Sequence, residues 1–168
     1  MKELLEKLNA CEKAREWAEG KSWEEVYATC HRGDWLLWLF QKTNSEDIQL
    51  LTLAKGHCAN TVRHLMTDER SLKSVDAAIA FGEGKISRED LDAAAYAAYA
   101  AFSAAWAADY AAWATAASAS NAAAAASYVA APAYAAAIAY YSSYEENQKL
   151  TAYICRKYLP IEVWNINL

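Results

Sequence analysis

Charge is nearly absent from the middle of this sequence. Between Ala93 and Tyr141 only Asp109 carries one. Glycine and proline are scarce as well, five and two in 168 residues, so the chain has few forced breaks and long helices have room to run. No stretch alternates apolar and polar residues with a period of two, which removes the half-buried strand from consideration and predicts an all-α protein. A basic stripe is lacking too. The net charge of −5 and a pI near 5.2 exclude nonspecific binding to a nucleic-acid backbone. The four cysteines, Cys11, Cys30, Cys58 and Cys155, show no Cys-x-x-Cys spacing, and are expected to be reduced and mostly buried.

Other absences bear on location and chemistry. The opening "MKELLEKLNA" sets acids where a signal peptide needs an apolar run, so a cytoplasmic location is expected. The alanine-rich stretch is long enough to cross a bilayer, but it holds little Leu, Ile or Phe, recurrent Ser, Tyr and Asn, and no basic flank; no membrane span is expected. There is no phosphate loop, no paired-acid signature and no Gly-x-Ser-x-Gly, so the reading is a non-enzymatic protein without a cofactor. His57 and His64 stand two turns apart on one predicted helix, about 10 Å along its axis, which is too far for one ion. No metal is expected.

What is present is helix punctuation. Leu4, Leu5, Leu8, Cys11 and Ala14 give a helical period from Lys2 to Glu19, with Gly20 as the stop. Ser22 with Glu25 forms a capping box ahead of "WEEVYATCHR". Gly33 breaks the chain and Asp34 is placed to cap "WLLWLFQK". Ser45 is placed to cap a helix running from Glu46 to Met66, and Ser71 to open another that ends at Gly82 and Gly84. Ser87 with Asp90 is a second capping box, at the start of the alanine segment. Residues 1–86 thus read as amphipathic helices and 87–160 as alanine-rich helices packed on them, within one all-helical domain spanning 1–168.

The alanine segment carries order of its own. On a helical wheel from Ser87 to Ala117, Tyr96, Tyr99, Phe102, Trp106, Tyr110 and Trp113 fall within an arc of about 120°. The rest is Ala with a little Ser and Thr. An outer face without charge is expected to contact something, so the segment reads as a long, aromatic-striped central helix. Its alanine face would allow close approach of another helix, in this chain or across a homodimer. Breaks are expected at Ser118–Asn121 and before Pro132, with a last helix ending at Pro160.

Two stretches look like the opening and close of a known family. "LNACEKAREWAEGKSWEEVYATCHRGDWLLWL", Leu8 to Leu39, with its block Cys30, Arg32, Gly33, Asp34 and Trp35, resembles immunity proteins of the Imm-5-like type from bacteria and phages. The alanine half and the ending "CRKYLP", Cys155 to Pro160, resemble them too. The resemblance implies a cytoplasmic protein that neutralises a toxin or effector by protein–protein contact. From the residues themselves comes a second reading, a small-molecule binder that stacks a nucleotide-like ligand on aromatics near Arg32, Arg63 and His64. Candidate binding residues across the two readings are Arg32, Asp34, Arg63, His64, Trp106, Asp109 and Tyr110. A deep pocket with convergent cations and aromatics favours the ligand; a broad exposed apolar patch favours the protein partner.

Overall fold

The computed structural model describes residues 1–66, 68–108 and 144–166. All regular structure in them is helical, as the missing period-two pattern predicts. Eight α-helices are present among the described residues: α1 Lys2–Lys7, α2 Glu12–Trp17, α3 Trp23–Thr29, α4 Gly33–Thr43, α5 Ile48–Asn60, α6 Glu69–Gly82, α7 Arg88–Ala108 and α8 Tyr144–Tyr158. Short 3-10 turns at Arg63–Leu65 and Ile161–Val163 complete them.

The predicted first helix is two. Leu4 to Ala14 keeps one apolar period, but Asn9 adopts a left-handed φ of 57° and ends α1. The N–H of Ala10 then returns to the carbonyl of Leu5 at 2.8 Å. Both capping boxes form as read. Ser22 Oγ accepts from Glu25 N–H at 3.2 Å while the Glu25 carboxylate accepts from Ser22 N–H at 2.8 Å. Ser87 and Asp90 repeat the exchange at the head of α7.

Three other caps differ from expectation. α4 begins at Gly33, so Asp34 lies inside its first turn, where the helix dipole favours a carboxylate, and its oxygens are taken by Arg32. α5 begins at Ile48 after Asp47 rather than at Ser45. α6 is capped by Asp68, whose carboxylate accepts the Arg70 N–H at 2.8 Å, and Ser71 is buried within the helix.

The central helix of the described residues is α5. Leu51, Thr52, Ala54, Lys55, Gly56, Cys58 and Ala59 are buried nearly all round it, and it touches α4, α6 and α8. A helix apolar on most sides belongs inside. Gly56 and Gly82 set its distance from α6: a Cβ on Gly56 would lie 2.9 Å from Ile79, and one on Gly82 would lie 2.6 Å from Leu53 Cα. α7 packs on α6 through Leu91, with Ala95 and Ala98 also buried on that face. Tyr96, expected in the buried arc, is 64 % exposed, because the packed face centres on Leu91, Ala95 and Ala98 instead. The remainder of the predicted stripe beyond Ala108, the breaks at Ser118–Asn121 and Pro132, Asp109 and Tyr110 lie outside the described residues.

The two stretches that carry the family resemblance meet. α8 crosses α4 where Gly33 has no side chain; a Cβ there would fall 2.5 Å from Thr151 Oγ1 and 2.7 Å from its carbonyl carbon. Arg156 of "CRKYLP" donates to the carbonyls of Tyr27 (3.2 Å) and Cys30 (2.7 Å), closing the C-terminal end of α3. Trp164, beyond Pro160, is buried against Trp23 and Phe40, each with ring centroids 4.9 Å away, and donates its indole N–H to Leu159 O at 2.9 Å.

Candidate functional site

A recess opens between the N-terminal helices and α4. Ala10, Ala14 and Ala18, spaced by four along α2 and its flanks, present only methyl groups, so this wall stands back. Opposing them in composition, α4 contributes Asp34, Trp35, Trp38 and Gln41, a stripe at helical spacing. Trp17 of α2, Val26 of α3, Cys30 just after it, and Lys55 of α5 also line the recess. The cavity measures about 400 Å³, within the usual range for small-molecule sites, about 300–1,000 Å³.

Its aromatic side is held by cations. Trp17 and Trp35 pack with ring centroids 6.0 Å apart. The Arg32 guanidinium lies 4.5 Å from the Trp35 ring centroid and donates through Nε to Asp34 Oδ1 at 2.7 Å, while its Nη2 reaches Oδ2. That fork neutralises Asp34 and fixes Trp35 from outside. Lys21 Nζ sits 4.4 Å from the Trp17 ring centroid and donates to the Trp17 carbonyl.

Lys55 is the exception among the lining groups. It is 4 % exposed and has no hydrogen-bond or salt-bridge partner among the described residues. Burial pulls its ammonium down from the ordinary 10.5 to about 8. With Gln41 it also lines a neighbouring cavity of about 250 Å³, to which Arg88 and Ser45 contribute.

The residues predicted from sequence divide. Asp34 lines the cavity, while Arg32 does not line it and instead pairs with Asp34 and lies against Trp35. Arg63 and His64 line neither cavity: α5 ends at Asn60, and the 3-10 turn after it sets Arg63 against Asp76 of α6, at 2.6 and 3.0 Å, with His64 exposed. The same ending takes His64 off the helix of His57, which stacks on Tyr158 at a centroid distance of 4.0 Å. The Trp106 side chain, Asp109 and Tyr110 lie outside the description.

Cys30 and His31 do not form a nucleophile and base. The Cys30 thiol is buried, points to Arg32 O at 3.5 Å and is raised in pKa by that burial, while His31 is exposed with its ring edge-on to Trp17. Cys58 and Cys155 are likewise buried, on the carbonyls of Thr151 and Gly33; Cys11 alone is exposed, at the cavity wall. No group of three His, Cys, Asp or Glu side chains among the described residues has metal-binding geometry, and no described helix is long and apolar enough to cross a membrane. Comparison with protein families, curated proteins and solved structures finds no match to this chain.

Lys55, Trp17 and Trp38 were not singled out by the sequence. Lys55 sits in "LTLAKGHC", where a lysine reads as the wet face of a helix, and only the enclosure of α5 on several sides buries it.

Proposed function

We propose that this protein is a non-enzymatic binding protein whose ligand is a small molecule held in the tryptophan-walled cavity. The observation that carries this reading is the cavity itself: about 400 Å³, with three tryptophans and a buried lysine converging on a wall of alanines. Packed helical interiors leave few voids larger than a water molecule, so a recess of this size with fixed polar groups suits an occupant. Burial pushes the Cys30 thiol up in pKa and the Asp34 carboxylate is paired with Arg32, an arrangement that supports holding a ligand over attacking one.

The test is to fill the recess. Ala14→Leu or Ala14→Phe should abolish saturable binding of naphthylmethanol, an uncharged two-ring probe, measured by titration calorimetry, while far-ultraviolet circular dichroism stays that of a folded helical protein. Equal binding by parent and folded variant would place the probe elsewhere and end this reading.

A toxin or effector partner, the role implied by the resemblance to immunity proteins, is the second reading. Exposed Tyr96 on α7, and Leu150 with Tyr153 one turn apart on α8, favour it, since large apolar side chains at the surface suit a protein contact. Introducing a charge there, as in Tyr153→Asp, should then weaken binding of a toxin or effector partner in a pull-down and leave the cavity probe unaffected.

A further inference from the structure

Lys55 is out of place energetically. A cation buried without a counter-ion is costly, and a methionine of similar length would fill the space without that cost. An ion pair does not account for it. The carboxylate lining the same cavity, Asp34, has both oxygens on Arg32. Lys55's own neighbours on α5, Ala54 and Gly56, offer no charge. Among the described residues nothing pairs with this lysine that lines the cavity.

From this juxtaposition we infer that the cavity takes an aromatic carboxylate, its rings among Trp17, Trp35 and Trp38 and its carboxylate on Lys55 Nζ. The inference rests on the small-molecule reading above and adds the chemical class. The count of charges selects the class. One unengaged ammonium matches a monoanion, while a phosphate ester would bring close to two charges to a cavity whose described lining holds no second Lys or Arg. Gln41, which lines both cavities with Lys55, carries amide N–H groups for the second carboxylate oxygen. The apolar lining and three indoles supply area for a two-ring body.

A matched pair of probes tests this at neutral pH by calorimetry: naphthoate and naphthylmethanol, alike in size and different in charge. The parent protein should bind naphthoate at least about tenfold more tightly than the alcohol, the range expected for a hydrogen bond to a charged group. Lys55→Met should lose that preference and hold the alcohol with affinity near the parent's. If Lys55→Met does not fold, Lys55→Gln makes the same comparison. Parent binding of both probes with equal affinity, or a Lys55 variant that keeps the preference, overturns the carboxylate assignment and leaves the cavity reading standing. Binding of neither probe by the parent overturns both.

Discussion

Lys55 makes the sharpest single-residue case. Its pKa is lowered on folding, so between about 8 and 10.5 the unfolded chain holds a proton that the folded chain has released. Stability should therefore rise with pH across that window. Below it the burial cost is present in full, roughly 3 kcal/mol for a shift of this size. Lys55→Met should raise unfolding free energy at neutral pH by up to that amount and flatten the alkaline rise, as read by urea denaturation at neutral and alkaline pH; a variant less stable than the parent would mean that the ammonium is satisfied in a way this structure does not contain. The cysteines give a second prediction at this scale. One thiol, Cys11, should react rapidly with a thiol reagent in the native protein, and Cys30, Cys58 and Cys155 only after unfolding. The sequence told that the cysteines were separate and unbridged. It did not tell which one was exposed, because Cys11 keeps the apolar period of its neighbours, and the break at Asn9 turns it outward.

Between elements, the crossing of α4 and α8 sets the architecture around the site. Gly33 read in the sequence as a break, and it does stand at a helix start, but its lack of a side chain matters more for Thr151 on α8. Gly33→Ala should destabilise by about 1–3 kcal/mol, the usual cost of overpacking, and Thr151→Ala should not restore it, since the backbone carbon of Thr151 is also too near. Full recovery in the double variant by urea denaturation would show that only the hydroxyl is in the way. Trp164→Ala should cost about 3–5 kcal/mol, because the ring is buried against Trp23 and Phe40 and its N–H is engaged. Local signals predicted the helices well where they depend on neighbours in sequence: both capping boxes and the end of α6 near Gly82 were legible. Crossings depend on residues over a hundred positions apart, as Gly33 and Thr151 are, and no local period reports them.

At the scale of the whole molecule, residues 1–66, 68–108 and 144–166 are organised around α5. Where the side chains of the alanine segment are described, Ala95 and Ala98 are buried on the side of α7 that meets α6, and Ala93, Tyr96 and Ala97 are exposed. The cavity was not legible, because it is a property of two surfaces. The alanines of α2 look like ordinary helix formers and the tryptophans of α4 like ordinary core; only their juxtaposition leaves space. The tryptophans report on that space. Fluorotryptophan-labelled protein should give resolved fluorine resonances for its seven tryptophans, assigned by single Trp→Phe substitutions. On titration with naphthylmethanol, the resonances of Trp17, Trp35 and Trp38 should shift together and saturably, while those of Trp23 and Trp164, packed against each other, shift little. Saturable shifts at Trp23 and Trp164 with Trp17, Trp35 and Trp38 unmoved, or no shift at any of the five, would mean that the cavity does not hold the probe.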